Sequence, residues 1–161
     1  MRAISAALAV FLMTCPSGEA SAATADSSFT VRIVIGAACV VTSSTDMLFG
    51  NAGVLVAAID QTSTISVQCT SGQAYNIGLN SGANSGSVSA RQMNGPGGMI
   101  SYSLSTDAGR LSNWGETIGS DTVGGTGNGS VQSFTVYGRV PAQPTPLPGT
   151  YSDTVTVTVT Y

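Results

Sequence analysis

Thr154-Val155-Thr156-Val157-Thr158-Val159-Thr160-Tyr161 is the stretch that decides the fold. Laid out as an extended chain, it puts Val155, Val157, Val159 and Tyr161 on one face and the four threonines on the other. A helix would scatter the same residues around its circumference. Strict alternation of β-branched and aromatic residues with polar ones marks a strand with one buried face. The same period recurs upstream. Phe134 and Val136 flank Thr135, and Ile100, Tyr102 and Leu104 alternate with Ser101, Ser103 and Ser105. Ile65, Val67 and Cys69 are followed, after a Ser71-Gly72 turn, by Tyr75, Ile77 and Leu79. Phe29, Val31, Ile33 and Ile35 alternate with Thr30, Arg32 and Val34. Turn chemistry separates the runs at Asn94 to Gly98, Asp107-Ala108-Gly109, Gly124 to Gly129 and Pro141 to Gly149. No 12-residue window carries helical periodicity, so the pattern predicts an all-β, two-sheet antiparallel sandwich.

Composition agrees and narrows function. The chain has 161 residues, with 22 Ser, 19 Thr and 20 Gly, only five basic and eight acidic side chains, and no His or Lys. The length suits one domain of sandwich type. A net charge of −3 without basic clusters argues against a nucleic-acid partner. Without His or Lys, a serine nucleophile has no ordinary base. The acids Asp26, Asp46, Asp60, Asp107, Glu116, Asp121 and Asp153 are expected mostly in turns, where Asp bonds its own backbone. No catalytic residue, cofactor site or metal site is read from the sequence, and the protein is not expected to be an enzyme.

The N-terminus reads as an export signal. Met1-Arg2 precedes the apolar run Ala3 to Met13, Pro16 to Gly18 break it, and Ala20-Ser21-Ala22 offers a small-x-small cleavage site. The run is too short to span a bilayer. A buried N-terminal helix is the alternative. Thr14 and Pro16 around Cys15 argue against a lipoprotein. The expected division is therefore a signal peptide over 1–22, an extension over 23–36 and a domain over 37–161. Removal of Cys15 leaves Cys39 and Cys69 as the only pair, and two cysteines in an oxidising compartment are expected to form a disulfide. Closing a loop of that size is worth roughly 3 to 4 kcal/mol in the chain-entropy model. A metal would need more ligands, and a redox pair would favour C-x-x-C spacing.

Three other features have bland readings. The Gly124 to Gly129 segment has no following Lys for a phosphate loop, no helix for a dinucleotide fingerprint and no Asp-bearing repeats for calcium. It is expected to be a flexible hairpin connection. Asn128-Gly129-Ser130 is formally a glycosylation sequon. Trp114 is expected in the core, with a sugar-stacking platform as the alternative.

Several motifs together carry a family resemblance. Leu48-Phe49-Gly50, Ile65 to Thr70, Tyr102 to Asp107, Trp114-Gly115, Val136 to Val140 and the ending Gly149 to Tyr161 resemble the spore coat protein U domain family across Phe29 to Tyr161. Ser105 departs from it, standing where an aromatic is common, which is expected to weaken that strand's packing. Most members resemble pilin subunits of archaic chaperone–usher pili, surface fibres used in adhesion and biofilm formation. The resemblance implies an immunoglobulin-like sandwich lacking its last strand. A periplasmic pilus chaperone would fill the groove first, an outer-membrane usher would export the subunit, and the extension of a neighbouring pilin subunit would replace the chaperone. The implied route runs from the periplasm to a cell-surface fimbrium.

The residues fit that scheme. Phe29, Val31, Ile33 and Ile35 form a candidate donor strand of about 23 Å at a rise of roughly 3.3 Å per residue. Burying these side chains is worth roughly 6 to 12 kcal/mol before ordering costs. The alternative is that the segment is the first strand of its own domain. Tyr151, Val155, Val157, Val159 and Tyr161 are the candidate residues of the C-terminal strand at the acceptor groove. Two further functions stay open: a non-polymeric extracellular coat or matrix protein of the same fold, and a carbohydrate-binding tip adhesin built on Trp114. One domain with an extension is expected to favour the pilin over the adhesin.

Overall fold

The structure is a computed structural model that describes residues 21–161. The expected signal peptide lies outside the described residues except for Ser21 and Ala22. The chain divides into Met1–Val34 and Ile35–Tyr161. In the first unit the described residues, 21–34, are exposed and form no strand. The alternation of Phe29, Val31 and Ile33 is thus present without a ladder. Alternation fixes which way side chains point, but a strand also needs a neighbour for its N–H and C=O groups.

In the second unit nine strands follow: β1 (Cys39–Ser44), β2 (Ile59–Cys69), β3 (Ala74–Leu79), β4 (Gln92–Gly95), β5 (Gly98–Ser101), β6 (Ser103–Ser105), β7 (Val123–Thr126), β8 (Val131–Val140) and β9 (Val157–Thr160). They form a four-stranded sheet in the order β1-β2-β8-β6, a three-stranded sheet β7-β3-β9 and the hairpin β4-β5. Every pairing is antiparallel. The core lies between the two larger sheets. Ile65, Val67 and Val136 come from one sheet, Tyr75, Ile77 and Leu79 from the other, and all are buried. The long β2–β8 ladder, from Ile59↔Val140 to Gln68↔Val131, is the spine of the larger sheet. On its outer face Arg139 chelates Asp60 at 2.7 and 2.8 Å. That bond holds the Asp60 carboxyl below the usual carboxylate range.

Two expectations are corrected. Gly124 and Gly125 are not a flexible hairpin connection but part of β7, paired with Asn76 and Tyr75. Tyr75 lays its ring where a side chain at Gly125 would sit, with Cζ 2.6 Å from the position of a Cβ. Glycine is a packing requirement here. The true link to β8, residues 127–130, crosses from one sheet to the other. Ile100, Tyr102 and Leu104 likewise do not share one strand: β5 lies in the hairpin and β6 in the larger sheet. The chain changes sheet at Tyr102, whose N–H donates to the Arg91 carbonyl at 3.0 Å. Ser105 is only 2 % exposed, and its backbone pairs with Tyr137 on one side and bridges to Asn113 on the other.

Candidate functional site

The last strand, β9, lies at an edge of the smaller sheet. Its register with β3 runs from Leu79↔Val157 to Asn76↔Thr160. On its other edge no strand pairs with it among the described residues. The consequence shows in burial. Tyr75, Ile77 and Leu79 on β3 are at most 2 % exposed. Val155, Val157 and Val159 alternate just as regularly and touch the same core, yet stay only half-buried, and Tyr161 is 58 % exposed. Identical patterning with unequal cover locates an apolar edge with unpaired backbone groups, the kind of edge that accepts another strand.

In the larger sheet β1 is also an edge strand, and it approaches β9 across the sandwich. Val40 and Val41 remain 55 % and 42 % exposed. The β1–β2 register slips between Val41 and Ser43, so the edge is irregular there. Cys39 is disulfide-bonded to Cys69, the residue directly across the ladder. The cross-link clamps the start of a short edge strand that little else covers.

The approach to β9 is held firmly from the other side. Asp153 accepts hydrogen bonds from Tyr102 Oη (2.6 Å), Ala83 N (2.8 Å), Asn84 Nδ2 (2.9 Å) and Thr154 N (2.8 Å). Burial and the bond to Asp153 raise the Tyr102 hydroxyl well above the ordinary tyrosine value. Asn80 extends the ladder with its side chain, accepting from Thr156 N at 2.8 Å. Behind them lies Arg91, fully buried, whose guanidinium donates to the carbonyls of Asn80, Val88, Leu79 and Trp114 at 2.8 to 2.9 Å. Trp114 is 1 % exposed and donates its indole N–H to the Ile77 carbonyl, so it offers no face to a sugar. Tyr151 sits apart from the valines. Its hydroxyl accepts from Gly97 N and donates to the Leu147 carbonyl, pinning the β4–β5 hairpin. Arg91 and Asn80 were not singled out from the sequence.

The candidate donor residues are the most exposed large apolar side chains near the N-terminus: Phe29 88 %, Val31 84 %, Ile33 81 % and Ile35 71 %. Among the described residues no group of three or more His, Cys, Asp or Glu could hold a metal.

An all-β sandwich with a bare final edge, preceded by an apolar extension, is matched at the level of sequence over residues 25–158 by the Spore Coat Protein U domain. The chain belongs to the spore coat protein U domain family. No curated protein gives a significant match. Among solved structures the chain resembles one from the CsuC–CsuE chaperone–tip adhesion subunit pre-assembly complex of the archaic chaperone–usher Csu pili of Acinetobacter baumannii. That likeness has 22% identity and a TM-score of 0.58, over 78% of this chain and 40% of that one. A weaker one, at 14% identity and a TM-score of 0.39, is to a chain of a chaperone–tip adhesin complex of CFA/I fimbriae biogenesis, over 77% of this chain and 41% of that one. The first likeness places this spore coat U member among the immunoglobulin-like antiparallel sandwiches. The chain spans about two-fifths of the length of each matched chain.

Proposed function

We propose that this spore coat U protein is a structural subunit of a secreted surface fibre, an archaic chaperone–usher pilus. Its β9 edge takes up a strand, first from a periplasmic chaperone and then from residues 23–36 of a neighbouring subunit. The observation that carries the reading is the pairing of two incomplete surfaces: half-buried Val155, Val157 and Val159 on an unpaired edge, and exposed, alternating Phe29, Val31, Ile33 and Ile35. Each surface lacks what the other supplies. An antiparallel donor would satisfy the open backbone groups of β9 while its apolar face closes the core. Family membership supports the same reading, with passage through an outer-membrane usher and a part in adhesion and biofilm formation.

The test separates polymerisation from folding. Ile33→Asp would bring an unpaired charge into a neighbour's core, which costs several kcal/mol. The variant should abolish fibres while its chaperone complex forms in normal yield, because the chaperone still fills the groove. Arg32→Ser, on the opposite face, should leave both intact. Loss of the chaperone complex in Ile33→Asp would assign the segment to its own domain and end the donor reading.

A further inference from the structure

We infer that the depression at the root of the N-terminal extension is a docking surface for the neighbouring subunit that receives the extension; this rests on the donor reading above. The depression has a volume of about 460 Å³ and is lined by Ile35, Ala38, Val40, Gln68, Cys69 and Gly129, among others. Most of its wall is carbon. It opens on the outer face of the larger sheet, where Val40, Gln68 and Val131 lie in one row across β1, β2 and β8. Both valines are more than half exposed, and Gln68 is fixed by donating Nε2 to the Gly129 carbonyl at 2.8 Å. The remainder of that face carries Thr42, Thr64, Ser66, Ser133 and Thr135 on the same strands. On this face the exposed aliphatic side chains, Val40 and Val131, thus lie at the end that carries the root of the extension.

Chain continuity decides the occupant. The root is rigid: Thr70 Oγ1 donates to the Gly36 carbonyl and accepts from Ala38 N, both at 3.1 Å, and Thr70 N donates to the Ala38 carbonyl at 2.9 Å. Only Val34 and Ile35 separate Ile33 from that anchored root, a span of about 10 Å at most for an extended chain. A subunit that takes Ile33 into its groove therefore brings its own pole against the depression. A second copy of this chain is such a subunit, and its pole would cover Val40 and Val131. The contact would set the angle between successive subunits and stiffen the fibre without contributing to strand exchange.

Hydroxyl-radical footprinting of dispersed fibres beside the chaperone complex tests the surface, with Leu111, 90 % exposed on a distant loop, as internal control. A severalfold loss of oxidation at Val40 and Val131 in fibres, with Leu111 unchanged, is expected. The double variant Val40→Asp with Val131→Asp should form its chaperone complex and polymerise, but give fibres that kink and dissociate at lower temperature than wild type. Thr135→Asp on the same face should not. Equal oxidation in both states, or wild-type fibres from the double variant, would overturn the inference. Protection seen only in bundled fibres would overturn it in favour of lateral packing. If the wild-type chain never polymerises, it is the donor reading that fails, and this inference falls with it.

Discussion

Among the described residues Arg91 is the one charged side chain that is completely buried, and no carboxylate there lies within ion-pair distance of it. Four backbone carbonyls take its N–H groups, and burial lowers its pKa. Arg91→Met keeps most of the volume but strands those carbonyls in the core, where each unsatisfied group costs about 1 to 3 kcal/mol. The chaperone-bound subunit should lose several kcal/mol, read as a lowered thermal midpoint, and Arg91→Lys should recover only part because it lacks the planar fork. Tyr102 adds a pH dependence. Its folded pKa is raised above the ordinary 10.0 by burial and by the bond to Asp153, whereas the unfolded tyrosine ionises normally. Its contribution is therefore complete below about pH 10 and declines as pH rises from there. Thermal midpoints should fall more steeply above pH 10 in wild type than in Tyr102→Phe, a variant that at neutral pH should be less stable by about 1 kcal/mol. Neither role was legible in the sequence. The partners of Arg91 are carbonyls from separate parts of the chain, and a carbonyl has no residue signature. Trp114 was legible only as a choice between core and platform, which its bond to Ile77 resolves.

Alternation made β2, β3, β8 and β9 readable in part, the runs at 65–69, 75–79, 134–136 and 154–161 overlapping them without matching their bounds. Equally regular runs form no strand at 29–35 and two strands at 100–105. β1, β4 and β7 were not readable. Cys39–Ser44 turns polar after three residues, Gln92–Gly95 has one large apolar residue, and Val123–Thr126 is half glycine. These strands exist because a neighbour pairs with them, which local composition does not encode. The two glycines of β7 make this testable. At Gly124 the nearest atom to an added Cβ is Asn76 Oδ1 at 3.4 Å, ordinary contact, while at Gly125 the Tyr75 ring is in the way. Gly124→Val should be neutral or slightly stabilising, since valine favours strands. Gly125→Val must displace the ring and should cost about 1 to 3 kcal/mol. Thermal midpoints of the two chaperone-bound variants compare them, and equal values would mean that the ring moves freely.

For the whole molecule the decisive property is the unequal cover of two neighbouring strands, with the apolar side chains of β3 buried and those of β9 half-buried. Val155, Val157 and Val159 touch the core yet stay half-buried, so a strand added at that edge would complete their cover. Exposed apolar edges of this kind are a route to aggregation. Expressed alone in an oxidising periplasm, the subunit should be degraded or aggregated. Co-expressed with its chaperone, it should be recovered as a soluble 1:1 complex. A strand supplied in cis should replace the chaperone. Residues 26–36 appended behind Tyr161 through a short glycine–serine turn can fold back antiparallel to β9, the direction a tight turn permits. That chain should be a soluble monomer unfolding in one cooperative step, and Ile33→Asp placed in the appended copy should return it to aggregation. Recovery of the unmodified chain as a stable, cooperatively unfolding monomer, with no gain from the appended strand, would mean that β9 needs no partner. The sandwich would then be self-complete, and the non-polymeric coat or matrix protein would become the better reading.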